Sequence, residues 1–211
     1  NDTITSVQVG IKDENNSFLN RICMPFYTTS IKKNQTQIIQ DFKTDFEEFL
    51  KKIKIKIDGT GTTKPVFVAY IELQSKMQDK ATDMIKNNED LVLYLKKNNI
   101  KMQGLPYLEV TNCDFDNQKI SYNFCFPIDS TTKYIPDNSI KFKTIPAIYG
   151  IKATYFGNYE TSDRSWYALQ DYAQKNNIKI NTQFLENFKN NPFSGGNDLE
   201  WQTKIIVPIV K

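Results

Sequence analysis

The pentapeptide KNNIK occurs twice in this chain of 211 residues, at 97–101 and at 175–179. The same order of predicted elements surrounds both copies: an apolar strand, an amphipathic helix that ends at the pentapeptide, and two further strands. The closing strands also correspond, since FPI at 126–128 matches VPI at 207–209 with an offset of 81 positions, against 78 for the pentapeptide. A short insertion in the second copy accounts for the difference. The chain therefore contains a tandem duplication.

The duplicated unit predicts an α+β fold built from two strand-helix-strand-strand repeats, at about 65–128 and 147–209, joined near 129–140. One helix and three strands cannot cover both faces of a sheet, so the repeats are expected to pack as a pseudo-twofold pair with a groove between them. Ligand sites favour such interfaces. The segment DGTGTTK at 58–64, rich in Gly and Thr, is predicted to be a linker before this domain, which spans 64–211.

Composition excludes several kinds of chemistry. The chain has no histidine, which excludes Ser-His-Asp and Cys-His catalysis and the commonest zinc ligand. No glycine-rich phosphate loop occurs, and a net charge of +3 does not indicate nucleic acid as a partner. Cys23, Cys113 and Cys125 lack metal-ligand spacing and are predicted to be buried free thiols. The sequence thus predicts no metal, no cofactor and no direct nucleic-acid binding.

The first 60 residues are predicted to hold a strand at 4–11 and a long amphipathic helix at 35–54. The run KKIKIKI at 51–57 is typical of a solvated helix end that leads into an edge strand. No apolar run reaches transmembrane length. The location is left open between the cytoplasm, which is slightly favoured, and a membrane-anchored longer form.

Three blocks of the second repeat resemble the GyrI-like, or AraC-type, effector-binding domain of bacterial transcription regulators. These blocks are YFGNYETSDRSWYALQDYAQKNNIKI at 155–180, FLENFKNNP at 184–192 and LEWQTKIIVPI at 199–209. Their order and spacing agree with that family, and the resemblance covers about 64–211.

The resemblance implies a domain that senses a small organic, hydrophobic ligand, cationic or neutral, in an aromatic pocket. Glu186 falls on the acidic position that the family places at the pocket floor, where a carboxylate among rings favours a cation or a hydrogen-bond donor. Lys204 departs from the family pattern, which often has glutamate there, and this weakens a purely cationic preference. The candidate ligand-binding residues are Glu186, Tyr155, Tyr159, Trp166, Tyr167, Phe188 and Trp201, together with Tyr107 and Glu109 of the equivalent block in the first repeat.

Two other function classes stay open at this point. Some relatives hydrolyse strained or electrophilic compounds, and Glu186 with Tyr155 or Tyr159 would supply the acid–base groups. No second carboxylate is tied to Glu186 by spacing, so a binding domain is favoured over an enzyme. A gyrase-inhibitor type of protein-interaction module is the other alternative, favoured if the groove is filled by its own side chains.

The predicted N-terminal strand and helix also resemble the end of a START-like (SRPBCC) lipid-binding domain. That family occurs fused ahead of GyrI-like domains. The resemblance implies an upstream part of the START-like domain that the present sequence does not contain.

Overall fold

The computed structural model describes residues 8–10, 18, 22, 26–27, 30–131, 137 and 139–210. The chain divides into two compact units, Asn1–Lys52 and Ile53–Lys211.

The first unit contains helix α1 (Ser30–Lys52), which confirms the helix predicted at 35–54 with an earlier start. Its apolar side chains recur at helical spacing, and the rings of Phe42 and Phe46 stack with their centroids 6.0 Å apart. No residue of α1 is buried. The strand predicted at 4–11 lies outside the described residues, except for 8–10.

The second unit is an α+β structure with one eight-stranded antiparallel sheet. Its order is β1-β6-β8-β7-β3-β4-β2-β5. The helices and strands are β1 (Lys54–Thr62), β2 (Val66–Lys76), α2 (Lys80–Lys97), β3 (Tyr107–Asp114), β4 (Lys119–Pro127), β5 (Lys141–Ile145), β6 (Tyr149–Phe156), α3 (Arg164–Lys175), β7 (Leu185–Phe188) and β8 (Gln202–Pro208). Across the described ranges, no helix is long and apolar enough to cross a membrane.

The sheet has internal pseudo-twofold symmetry, which confirms the duplication. From the centre outwards, one half runs β3-β4-β2 and the other runs β7-β8-β6, so corresponding strands have the same order. The central contact pairs Tyr107 with Asn187, Leu108 with Glu186 and Glu109 with Leu185. An offset of 78 maps the Leu108–Glu186 pair onto itself and exchanges the two flanking pairs, so the pseudo-twofold axis passes through Leu108 and Glu186.

The repeated pentapeptide ends both helices of the sheet unit. Asn99 and Asn177 adopt the left-handed conformation, with φ of 55° and 54°. The N–H of the following isoleucine then donates to a carbonyl of the last helical turn, at 2.8 Å from Ile100 and 2.9 Å from Ile178. Asn tolerates this conformation better than most other non-glycine residues, which explains its presence at both helix ends.

The predicted linker at 58–64 is wrong, because most of it belongs to strand β1. The pairing of β1 with β6 shifts register between Ile57 and Gly59, and Gly59 has a φ of +86°. A glycine in a bulge resembles a glycine in a linker when only composition is considered. Each repeat is preceded by one extra strand, and that strand pairs with the other repeat. Strand β1, before the first repeat, pairs with β6 of the second, and β5, before the second repeat, pairs with β2 of the first.

Both helices pack on one face of the sheet and build the larger core there. Leu91 and Leu95 of α2 are buried in this core together with Trp166 and Leu169 of α3. A smaller apolar cluster lies on the opposite face around Val68, Cys125, Ile145, Leu185 and Ile206. Cys113 and Cys125 are buried and free, as predicted, while Cys23 lies outside the described residues.

Candidate ligand cavity

A cavity of about 500 Å³ lies between the two repeats, on the face of the sheet that carries the helices. One wall comes from helix α2 and from the strand ends of the first repeat. The opposite wall comes from the turn after β6, from β7 and from the β7–β8 loop. The lining residues are Ala81, Met84, Ile85, Asn88, Val92, Lys96, Met102, Gly104, Leu105, Pro106, Phe124, Phe126, Asn158, Tyr159, Glu160, Phe188, Asn190, Asn191, Pro192, Phe193 and Trp201.

The apolar stripe of α2 serves both the core and the cavity. Leu91 and Leu95 have almost no exposed surface, whereas Ile85, on the same broad stripe, remains 57% exposed at the cavity. Val92, also on the stripe, is half-buried and lines the cavity too. The helix therefore presents more apolar surface than the core can cover, and the surplus faces the cavity.

Tyr159, Phe188 and Trp201 form an aromatic cluster in the second wall. The Tyr159 ring lies 4.6 Å from the Phe188 ring and 5.1 Å from the Trp201 ring, measured between centroids. These three residues come from three different segments and were all predicted as ligand-binding residues. The cavity lining includes all three.

Hydrogen bonds fix the position of this cluster. The Tyr159 hydroxyl donates to the Asn190 carbonyl at 3.0 Å and accepts the Asn190 N–H at 2.9 Å. Trp201 accepts, through its carbonyl, the N–H of Gly157 at 3.0 Å. Gly157 has a φ of +144°, and a Cβ there would lie 2.6 Å from the Tyr155 hydroxyl, so this close approach requires glycine.

The β7–β8 loop carries an exposed aromatic ring to the cavity. Phe193 is 68% exposed, yet it lines the cavity beside Pro192. Asn191 caps the short turn that holds Phe193, because its side-chain oxygen accepts the Phe193 N–H at 3.1 Å. The corresponding connection in the first repeat, between β3 and β4, is shorter.

Glu186 lies at the pseudo-twofold axis but does not line the cavity. It is fully buried, and its two carboxylate oxygens accept hydrogen bonds from Trp166 Nε1 at 2.6 Å and from Ser162 Oγ at 2.9 Å. Burial raises the pKa of Glu186 to about 7, although the cation of Lys80 and the two hydrogen bonds oppose that rise. Ser162 lies just before α3, and its hydroxyl is thus directed to this carboxylate.

Lys80 is the main residue of this site that sequence reasoning missed. Its side chain is fully buried at the start of α2, and Nζ donates to the Glu160 carbonyl at 2.6 Å and to Asp163 Oδ1 at 2.9 Å. A lysine at a helix start normally extends into solvent, so its burial depends on the packing of the second repeat against the first.

Trp166, Tyr155 and Tyr167 do not line the cavity. Trp166 is buried and stacks on Phe184 with centroids 4.9 Å apart. Tyr155 is also buried, and its hydroxyl lies 2.6 Å from Thr161 Oγ1. Tyr167 lies at the surface and contacts Phe115 edge to face. Trp166 therefore belongs to the core and contributes to the site only through its bond to Glu186.

Tyr107 and Glu109 lie on the opposite face of the sheet. Tyr107 packs with the small apolar cluster there, and Glu109 accepts a hydrogen bond from Asn123 and pairs with Lys143. The reason is strand parity: the true counterpart of Glu186 is Leu108, and neighbours of Leu108 in the strand point to the other face.

Lys204 also lies away from the cavity. Its side chain is 48% exposed, donates to Thr154 Oγ1 and lies 3.7 Å from Asp58. Lys204 was expected to weaken a purely cationic preference of the pocket, but the structure places its side chain partly in solvent and outside the cavity lining.

The contacts of Glu186, Tyr155 and Tyr159 do not support the hydrolase alternative. The Tyr155 hydroxyl binds the Asn158 carbonyl and Thr161, and the Tyr159 hydroxyl binds the β7–β8 loop. The Glu186 carboxylate is bound by Trp166 and Ser162. The groups named for acid–base chemistry are thus each engaged with other partners.

Comparison with known proteins finds similarity in structure alone. No family model and no curated protein matches the sequence. The solved structure of EcmrR in its DNA complex is 13% identical with a TM-score of 0.61, over 93% of this chain and 78% of that chain.

Two further solved structures are similar to this chain in fold. The EcmrR C-terminal domain is 15% identical with a TM-score of 0.61, over 75% of this chain and 98% of that one. A Staphylococcus aureus protein described as a putative bacterial transcription regulation protein is 11% identical with a TM-score of 0.50, over 75% of this chain and all of that one. The similarity at this level of identity establishes the fold: residues Ile53–Lys211 adopt the GyrI-like α+β fold.

Proposed function

We propose that the Ile53–Lys211 unit is a GyrI-like effector-binding domain that takes up a small hydrophobic organic molecule between its repeats. The observation that carries this proposal is the cavity of about 500 Å³, lined by the Tyr159, Phe188 and Trp201 rings and by apolar side chains of α2. Its volume falls in the range of small-molecule sites, roughly 300–1,000 Å³.

The arrangement of the walls suits a ligand sensor. The α2 wall belongs to the first repeat, and the aromatic cluster belongs to the second, so a bound molecule would contact both. The cavity is open rather than filled by the protein's own side chains, which is the condition that would have favoured an interaction module without a ligand.

A role in transcription regulation is the second part of the proposal. It is supported by the fold shared with EcmrR, which has been solved in a DNA complex, and by the family resemblance of the second repeat. Ligand binding here would then regulate a DNA-binding part elsewhere in the regulator. For residues 1–60, the resemblance to the end of a START-like domain stays a prediction, which a longer gene sequence would test.

The cavity can be tested by filling it. Val92 lines the cavity, whereas the adjacent Leu93 is 54% exposed and does not. We expect Val92→Trp to weaken binding of the fluorescent probe N-phenyl-1-naphthylamine by about tenfold or more, because the new ring occupies ligand volume. Leu93→Trp adds the same ring to the same helix and should leave the affinity unchanged.

A second measurement uses tryptophan fluorescence. The chain has two tryptophans, of which Trp201 lines the cavity and Trp166 is in the core. Bromobenzene quenches an indole only at contact, so its quenching of intrinsic fluorescence on binding should be largely lost in Trp201→Phe. Equal weakening by Val92→Trp and Leu93→Trp, or no binding by the wild type, would contradict the proposal.

A further inference from the structure

A cluster of three charged side chains lies behind the cavity, where the starts of the two helices meet. Lys80 and Glu186 are fully buried, and Asp163 forms an ion pair of 2.9 Å with Lys80. Lys80 belongs to the first repeat, while Asp163 and Glu186 belong to the second. The cluster therefore joins the two repeats at their interface.

Lys80 is also attached to the cavity wall. Its Nζ donates to the carbonyl of Glu160, and both Glu160 and Ala81, the residue after Lys80, line the cavity. A buried ammonium thus lies directly behind a wall that a ligand would touch. Among the described residues of the lining, Glu160 and Lys96 carry charges, one of each sign, and both are exposed.

Glu186 is the carboxylate that could attract a cationic ligand, but other groups of the protein already stabilise its negative charge. Both oxygens of Glu186 already accept hydrogen bonds, from Trp166 and Ser162. The positive charge of Lys80 stabilises any negative charge on Glu186. A cationic ligand would therefore meet a carboxylate that is already held by two hydrogen bonds and by the nearby charge of Lys80, which also pairs with Asp163.

We propose that Lys80 determines the charge class of the ligand, so that the cavity accepts uncharged aromatic or hydrophobic molecules and rejects organic cations. This inference rests on the proposed function of the cavity. Lys80 acts through the charge balance of the Glu186 cluster, so it is a specificity-determining residue that does not need to touch the ligand.

The physical reason is the loss of water around an ion. A cation that enters an apolar cavity loses its hydration, and a nearby anion without a partner is the usual compensation. The rings of Tyr159, Phe188 and Trp201 attract cations weakly compared with that loss. The Lys80 ammonium offsets the negative charge of Asp163 and stabilises that of Glu186, so its removal would leave uncompensated negative charge behind the cavity wall.

The first experiment compares two probes with the same hydrophobic body. Diphenylhexatriene is uncharged, and its trimethylammonium derivative carries one permanent positive charge. We expect the wild-type chain at neutral pH to bind the uncharged probe at least about tenfold more tightly, measured by fluorescence titration. Equal affinity, or tighter binding of the cation, would overturn the proposal.

The second experiment removes the charge of Lys80. Lys80→Met keeps the length of the side chain, and we expect the preference for the uncharged probe to fall about fivefold or more, chiefly through tighter binding of the cation. Loss of the Glu160 contact would affect both probes alike, so the ratio of the two affinities isolates the charge. Lys86→Met is the matched control: it removes an exposed lysine of the same helix that does not line the cavity, and it should change the ratio by less than about twofold.

Lys80→Met leaves Asp163 without its partner, so folding is verified by circular dichroism. If that variant does not fold, Lys80→Gln removes the positive charge while its amide can still donate to the Glu160 carbonyl and to Asp163. Lys80→Gln should likewise shift the ratio towards the cation. An unchanged ratio in a folded variant would overturn the proposal.

The experiments distinguish failure of the proposed cavity function from failure of the proposed charge selectivity. If neither probe binds the wild type, the proposed function of the cavity is wrong, and the charge selectivity is wrong with it. If both probes bind and the ratio does not favour the uncharged one, the cavity binds ligands but Lys80 does not set their charge class.

Discussion

Replacing Glu186 by Gln should make the stability of the sheet unit less dependent on pH. Glu186 is fully buried, and burial raises its pKa from the usual value of 4.5 to about 7. Between these two pH values the unfolded chain has lost the Glu186 proton while the folded chain still holds it. The folded state therefore binds more protons, and the free energy of unfolding decreases as pH rises through this window.

The size of the effect follows from the difference between the two pKa values. A change of one unit corresponds to about 1.4 kcal/mol, so Glu186 should lower the free energy of unfolding by about 3 kcal/mol between pH 4.5 and pH 7. Glutamine keeps the shape and carries no charge. Its oxygen can still accept from Trp166, and its amide can donate to Ser162.

The assay is urea unfolding of wild type and Glu186→Gln at several pH values between 4.5 and 8, followed by the fluorescence of the buried Trp166. The stability of the variant relative to wild type should increase with pH by about 3 kcal/mol over this range, or roughly 6–12 °C in Tm for a chain of this size. Because other titrating groups are common to both proteins, only the difference matters. Parallel pH profiles for the two proteins would refute the assignment of a raised pKa to Glu186.

Three further predictions concern the scaffold of the site. Asn99→Ala and Asn177→Ala should each lower stability by about 1 kcal/mol, because alanine is strained in the left-handed conformation at these helix ends; urea unfolding measures this, and no loss at either position would contradict the capping role. Gly157→Ala should be more harmful, since its Cβ would lie 2.6 Å from the Tyr155 hydroxyl and its φ is +144°; an unchanged Tm would contradict this geometry. In a Cys23→Ser background, alkylation of the folded protein by iodoacetamide at pH 8 should be slow. Burial raises the pKa of Cys113 to about 11 and also raises the pKa of Cys125, so both thiols stay protonated. Fast labelling of the folded protein would contradict the burial of both thiols.

Local sequence patterns were sufficient to predict most of the sheet unit. The periodicity of α2 and α3 and the apolar runs of the strands depend on neighbouring residues, and a single chain displays them directly. The failure at β1 has a physical cause. Its Gly and Thr residues form a bulged edge strand only because β6 of the other repeat is available to pair with it, and that partner lies far away in sequence.

The candidate site was predictable to the extent that a family pattern marked it. Tyr159, Phe188 and Trp201 lie in matched blocks, and the cavity lining includes all three. The α2 wall was not predicted, because its apolar side chains have the same helical spacing as core residues. Lys80 could not be predicted either, since its burial arises only from the contact between repeats.

The differences between the two repeats concentrate at the axis that relates them. Leu108 and Glu186 are equivalent and pair with each other there, whereas Ser162, which binds Glu186, corresponds to Met84 at the same offset of 78. Two glutamates at the axis would repel each other, and two leucines would leave Ser162 and Trp166 without this acceptor. Only a diverged pair places a single carboxylate at the axis, bound by two groups of its own repeat and stabilised by the charge of Lys80 from the other. Divergence at the axis is therefore what turns a symmetric interface into a site with one defined charge balance, and Lys80 and Glu186 should be changed together by any relative with a different ligand class.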